Sequence, residues 1–239
     1  MAKRLVDVLL AGIALLAVAP IIVLAAIGVR LSGRGPVIYR ARRVGRNGRE
    51  FTMYKLRSMR VEPNGSNSVV TAHGDARIFP FGAFIRVTKI DELPQLINVL
   101  RGDMSIIGPR PEDPNVVRTV YSDWQLRTLD VRPGLAGPGS LFSYTHLDRL
   151  IGTEDPEYDY RERVLGLKLA IDLLYMRTAS VRSDMVIIGR TLWTLACYAL
   201  GRRDFSEPPE IASARRLLTL LTQENEAMRP RTSGGVGGE

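Results

Sequence analysis

Two adjacent carboxylates, Asp91 and Glu92, stand where a helix is expected to begin, and an arginine flanked by prolines, Arg110, follows that helix. Carboxylates so placed can attack phosphorus, bind a divalent cation or move protons. The free amides of a first helical turn and a guanidinium fixed between Pro109 and Pro111 suit an anion such as phosphate. An Asp-Glu pair is also an ordinary helix start, because acidic side chains there complement the helix dipole. What favours chemistry is the combination of both acids, Arg110 and Glu112 within Lys89 to Glu112. An anionic substrate with a carboxylate nucleophile or metal ligand is a coherent pairing.

The elements that must hold these groups follow from periodicity. Leu93, Leu96, Ile97 and Leu100 recur at i, i+3, i+4 and i+7, which predicts a helix with Asp91 and Glu92 at its N-cap and first turn. Pro94 is tolerated there because first-turn amides lack an intrahelical acceptor, and Arg101-Gly102 ends the helix. The apolar run Met104 to Ile107 then leads into Gly108-Pro109-Arg110-Pro111-Glu112. Upstream, Val37 to Tyr39 reads as a strand, Gly45 to Gly48 as a turn and Phe51 to Met59 as extended chain. Alternation along that second stretch places Phe51, Met53, Lys55 and Arg57 on one face, so that Lys55 and Arg57 can reach one anion. Val61 to Gly74 is a loop by composition. Arg86, five residues before Asp91, is near enough in the chain to serve the same site, with an ordinary surface arginine as the plain alternative. Downstream, Val116 to Leu129, Arg161 to Arg177 and Asp184 to Leu200 have helical periodicity; Trp193 and Tyr198 in the last suit a membrane surface. A detached amphipathic helix, Glu210 to Met228, and a disordered Gly-rich tail close the chain.

Leu5 to Val29 carries one charge, Asp7, and is long enough to cross a hydrocarbon core. Pro20 near its middle predicts a break, and both flanks are basic: Lys3 and Arg4 before, Arg30, Arg34, Arg40, Arg42 and Arg43 after. The positive-inside tendency places both flanks on the cytoplasmic side, which favours a helix-break-helix hairpin dipping into one leaflet over a signal-anchor span or a cleaved signal peptide. The formal net charge of +8 favours anionic partners. Nine basic residues against Glu50 alone between positions 31 and 60 make a solvated or head-group-binding face. A single cysteine, Cys197, excludes an intramolecular disulfide, and His73 and His146 have no zinc spacing. No Gly-rich phosphate-loop motif is present.

Asp-Glu-Leu-Pro-Gln-Leu at 91–96, Arg-Gly-Asp-Met-Ser at 101–105 and Gly-Pro-Arg-Pro-Glu at 108–112, taken in order, resemble the bacterial sugar transferase family, the monotopic polyprenyl-phosphate phosphoglycosyl transferases. The likeness runs from about Lys3 to about Arg190. It departs from the family pattern at Ala19, where Ser often precedes the proline, at Phe79, where Thr is usual, and at Ala136 and Pro138-Gly139. The resemblance implies an α+β fold: a helix-rich cytoplasmic domain with a small sheet, over residues 32–203, anchored by a re-entrant membrane helix over 1–31 and by interfacial amphipathic helices, with 204–239 as a C-terminal helix and tail. It also implies transfer of a sugar 1-phosphate from a nucleotide diphosphate sugar, expected to be a UDP-sugar, to polyprenyl (undecaprenyl) phosphate at the bacterial inner membrane. This is the first membrane step of surface polysaccharide or glycoconjugate synthesis. Asp91 is then the nucleophile, Glu92 handles metal or protons, and Mg²⁺ is held by Asp91 and Glu92. Lys55, Arg57, Arg86, Arg110 and Arg132 are phosphate- or substrate-binding candidates, with Glu112 orienting Arg110 or the metal. Membrane phospholipid is an expected partner, nucleic acid is not, and a homodimer is compatible. The rival readings are a non-enzymatic, membrane-anchored basic module binding acidic lipid or nucleic acid, and a glycosyl transferase releasing nucleoside diphosphate.

Overall fold

A computed structural model of the chain describes residues 2–60, 75–150 and 156–228; the expected loop at Val61 to Gly74 and the Gly-rich tail lie outside them. The apolar N-terminal segment is one helix, α1 (Ala2–Leu31), whose backbone stays helical through Pro20. Packing on both sides of the proline accounts for the missing break. Ala11, with Ala14, Leu15 and Val18, meets Met53, Leu96, Val99 and Met104, while Ala25 and Val29 meet Leu56, Phe79 and Ile85. Both ends of the helix are also tied to the remainder of the chain. Arg4 donates to the carbonyls of Val99 and Leu100, at 2.6 and 3.0 Å, and Lys3 pairs with Asp184. At the other end Arg57 donates to the carbonyls of Arg34 and Gly33, at 2.6 and 2.8 Å, supplying a cation where unpaired carbonyls and the negative end of the helix dipole lie. Asp7, the one charge inside the apolar run, is buried: its carboxylate accepts from Ser105 Oγ at 2.8 Å and Ile106 N at 3.1 Å. The opposite edge, with Leu5, Leu9, Ile13, Leu16, Leu24, Ile27 and Leu31, is exposed.

β1 (Ile38–Val44) and β2 (Glu50–Leu56) form an antiparallel hairpin that pairs Tyr39 with Lys55. Asn47 and Gly48, at φ 56° and 74°, supply the left-handed backbone its turn needs. α2 (Pro80–Val87) leads through a tight helical turn, Ile90–Glu92, into α3 (Gln95–Arg101), which ends at left-handed Gly102 as expected. β3 (Ser105–Ile107) pairs in parallel with β4 (Gly134–Ala136). A Cβ on Gly134 would lie 2.1 Å from Gly108 N, so this contact excludes a side chain. Between these strands, the helix expected at Val116 to Leu129 is two, α4 (Pro114–Val120) and α5 (Asp123–Leu126), because Ser122 and Gln125 close a capping box in mid-pattern.

The C-terminal half is helical: α6 (Pro138–Leu150), α7 (Pro156–Asp159), a π-helical stretch Tyr160–Leu165, α8 (Gly166–Thr178), α9 (Val181–Ala199) and α10 (Ile211–Met228). α8 is its centre. α10, expected to be detached, instead packs on it: Leu217 and Leu221 join Leu165, Leu169, Leu173 and Trp124, while Ile211 and Ala214 meet Phe142 and Ile171. Burying each such leucine contributes about 1.5–3 kcal/mol, which is why the amphipathic face does not stay free. α9 leaves an apolar stripe outside. Asp184, Ile187, Thr194 and Cys197 are buried, whereas Val181, Met185, Val186, Leu192 and Trp193 lie outside, Trp193 at 68% exposure.

Candidate active site

The paired acids sit in the turn between α2 and α3, and three local features place them there. Gly82 lets α2 lie directly on the hairpin's exit, since a Cβ on it would stand 2.0 Å from Ser58 O. Lys89 adopts φ 59°, uncommon for a residue with a side chain, and reverses the chain just ahead of the acids. α3 then begins at Pro94-Gln95, so neither Asp91 nor Glu92 caps it, contrary to the expected register. The buried face of α3 is accordingly Gln95, Leu96, Asn98 and Val99, and Ile97 is outside. Asn98 joins α3 to the free edge of β2: its side chain accepts from Tyr54 N at 3.1 Å and donates to Thr52 O at 2.7 Å, as a neighbouring strand would.

Both acids are buried, yet their surroundings differ. Glu92 receives a two-pronged fork from Arg110, Nη1 to Oε2 at 2.9 Å and Nη2 to Oε1 at 2.7 Å. Lys55 Nζ lies 3.4 Å and Lys89 Nζ 3.6 Å from the same Oε1. Burial alone would raise the Glu92 carboxyl, but Arg110, Lys55 and Lys89 hold it well below the usual carboxylate range. Asp91 Oδ1 is buried without a hydrogen-bond partner, an arrangement that costs about 1–3 kcal/mol. Burial, then the negative charge of Glu92, push its carboxyl above the ordinary value, against the pull of Lys55, Lys89 and Arg86. Lys55 is itself lowered to about 8, first by burial and, against Glu92, by Arg110. The turn thus holds one ionised, fully engaged carboxylate and one poorly satisfied carboxyl inside a ring of cations, an arrangement chemically able to receive an anion beside a carboxyl.

The structure brings together Asp91, Glu92, Lys55 and Arg110, with Arg86 held near by through Nη1 to Ser58 Oγ at 3.4 Å. It sends the other candidates elsewhere. Arg57 leaves the strand face it was expected to share with Lys55 and closes the end of α1. Arg132 Nε donates to Gly102 O at 2.8 Å, closing the end of α3. Glu112 makes no hydrogen bond to Arg110 among the described residues and acts on it only through its charge: it accepts from Tyr160 Oη at 2.7 Å and pairs with buried Lys168. Reading the sequence assigned no role to Lys89. Its place three residues before Glu92, within reach along a helical turn, was the available signal.

No cluster of three or more His, Cys, Asp or Glu ligands occurs among the described residues. Mg²⁺, however, commonly binds one or two carboxylates together with substrate phosphates. The unpartnered oxygen of Asp91 fits that role; Glu92 does not, because both its oxygens are occupied by Arg110.

A family model described as bacterial sugar transferase matches residues 1–197. The chain is 39% identical over 190 residues to the UDP-glucose:undecaprenyl-phosphate glucose-1-phosphate transferase of Xanthomonas campestris pv. campestris, covering 78% of this chain and 37% of that protein. It is 34% identical over 200 residues to the protein of the same name from Caulobacter vibrioides (strain ATCC 19089 / CIP 103742 / CB 15), covering 81% and 69%. With the exopolysaccharide production protein ExoY of Rhizobium meliloti (strain 1021) it shares 33% identity over 207 residues, covering 80% and 84%.

Proposed function

The chain belongs to the bacterial sugar transferase family, and on that premise we propose that it transfers a sugar 1-phosphate from a UDP-sugar to undecaprenyl phosphate. The observation that carries this reading is the contrast within one turn: Glu92 is saturated by Arg110 and two lysines, while Asp91 keeps a buried oxygen with no partner. A carboxyl raised by burial is a stronger nucleophile once ionised than one held low by an arginine fork. Asp91 attacks the phosphorus that bears the sugar. The bond from that phosphorus to the oxygen bridging the two phosphates breaks, and nucleoside monophosphate leaves. An oxygen of the lipid phosphate then attacks the same phosphorus and releases the Asp91 carboxylate. Lys55, Lys89 and Arg86 offset the charge of the polyanions that meet here. Glu92 holds Arg110 and both lysines in place as their shared counter-charge. Asp91, with substrate phosphates, would hold Mg²⁺, which would supply further charge neutralisation.

The membrane reading rests on α1 and α9. Both ends of α1 are bound to the same body through Arg4 and Arg57, and the helix packs on it along its length. If α1 crossed the bilayer, the domain packed along it would have to enter the hydrocarbon core, about 30 Å thick. We therefore read residues 1–31 as lying within one leaflet, with the exposed edge of α1 and the outer stripe of α9 in lipid. The 32–203 domain and the C-terminal segment then lie on the cytoplasmic face of the bacterial inner membrane.

The deciding experiment gives purified protein a UDP-sugar labelled in the β-phosphate, with Mg²⁺ and no lipid acceptor. Label on Asp91 and a burst of UMP are expected. Label on another residue, or UMP release only when lipid is also present, overturns the two-step reading.

A further inference from the structure

Tyr144, on α6, meets the turn that carries the acids at two points. Its hydroxyl donates to the carbonyl of Val87 at 2.9 Å, at the end of α2. The ammonium of Lys89 lies 4.5 Å from the centroid of its ring. Between these contacts the chain passes into the left-handed conformation of Lys89, at φ 59°, which a residue with a side chain keeps only where its surroundings over-determine it. The same ammonium stands 3.6 Å from Glu92 Oε1. The Tyr144 ring is in turn fixed from behind, 4.7 Å from the ring of Tyr198 on α9, which carries the Arg203 guanidinium 3.8 Å from its own centroid.

We propose that Tyr144 is a positioning residue for the transfer: by gripping Val87 and Lys89 together it fixes the turn that presents Asp91 and holds the Lys89 charge against Glu92. The inference rests on the transferase reading above and adds to it a residue from α6, outside the motifs that carry the acids. A lysine on a flexible stem would otherwise extend its strongly hydrated ammonium into water. The face of an aromatic ring attracts a cation through its quadrupole, and here it draws the stem back across the turn. The hydroxyl holds the last turn of α2, from which the reversal at Lys89 starts. Burial, and then Tyr198, push the phenol above its ordinary range, so it stays a donor. Tyr198 gives the grip a rigid backing and links the turn to the helix whose outer stripe is read as lying in lipid.

Three variants of the full chain test this: Tyr144→Phe keeps the ring, Tyr144→Leu removes ring and hydroxyl, and Lys89→Met removes the gripped charge. Tyr144→Leu should lower kcat about 10-fold while the KM for UDP-sugar moves less than about twofold, and Tyr144→Phe, which keeps the ring but loses the hold on Val87, should fall between Tyr144→Leu and wild type, because the lost interactions act on the reacting geometry and not on substrate binding. Adding Lys89→Met to Tyr144→Leu should lower kcat by less than the product of the two single losses, because part of the Lys89 contribution passes through the ring. A loss confined to KM, fully multiplicative losses in the double variant, or unchanged kcat in Tyr144→Leu would overturn the proposal. A second readout is independent of turnover. In lysine-labelled protein the ε-methylene resonance of Lys89, assigned with Lys89→Met, should be shifted upfield by the ring, keep that shift in Tyr144→Phe and lose it in Tyr144→Leu. A wild-type protein that turns over no nucleotide sugar but shows this shift defeats the transferase reading and leaves the grip standing. A Lys89 resonance at the free-lysine position in wild type defeats the grip, whatever the activity.

Discussion

Two buried groups of carboxyls lie on either side of Arg110, and they are built to opposite ends. At the turn before α3, Asp91 and Glu92 share one surplus of cations, and Asp91 is left with an unpartnered oxygen. On the far side, Glu112 is closed off by Lys168 and Tyr160, a carboxylate that burial would raise but that its lysine and phenol partners hold low. Lys168, which burial would lower, is raised by the same pairing. Glu112 has its charge met by Lys168 and its Oε1 held twice; Asp91 Oδ1 is buried with no hydrogen-bond partner. Burial and charge alone would not separate them. What separates Asp91 from Glu112 is whether the acid is met by a hydrogen-bonded cation.

The sharpest way to break this comparison is Asp91→Asn. Turnover should fall about 1,000-fold or more, equivalent to roughly 4 kcal/mol of transition-state stabilisation, while the thermal midpoint stays level or rises, because an unsatisfied buried charge has been removed. A parallel drop in midpoint would make Asp91 a structural acid. Lys168→Met should do the reverse: it strands Glu112 as an uncompensated buried charge and should cost about 3–5 kcal/mol of stability. Adding Glu112→Gln should restore part of that stability, as read by denaturant titration. If Lys168→Met leaves stability intact and lowers only turnover, the division between the two groups is wrong.

Arg110→Lys keeps the charge and loses the planar fork. We expect kcat/KM to fall about 10- to 100-fold, or ~1.4–2.8 kcal/mol, and the pH at which activity declines on the acid side to rise, since Glu92 then loses part of what holds it ionised. An unchanged acid limb would show that Lys55 and Lys89 suffice.

The smallest effect belongs to Asp172, a fully buried acid of α8 whose Oδ1 accepts from Gly139 N at 3.0 Å and which burial raises to about 7. Its folded value lies above the unfolded one, so the folded state binds the proton more tightly. Its contribution is therefore fully present below about pH 4 and is lost as pH rises toward 7. Asp172→Asn should flatten the decline of stability across that window and leave turnover near wild type; a slope identical to wild type would show that another group sets it.

Much of this protein was legible from the chain alone. The apolar periodicity and length of residues 5–29 specified a helix, Gly102 the end of α3, and the grouping of Asp91, Glu92 and Arg110 in one stretch marked residues that do come together, because each depends on local backbone preference or on residue type at short spacing. Only tertiary packing decided which cation meets which acid. Arg57 and Lys55 alternate onto one face of a strand, yet β2 ends at Leu56, and the open carbonyls at the end of α1 take Arg57 while Glu92 takes Lys55. Asp7 reads as a flaw in a membrane segment until β3 supplies its donors. Pro20 predicts a break that contacts on both sides override. Periodicity fixes where a side chain points within its own element; it carries no information about the element that will lie opposite, and ion pairs and helix caps between distant segments are settled there.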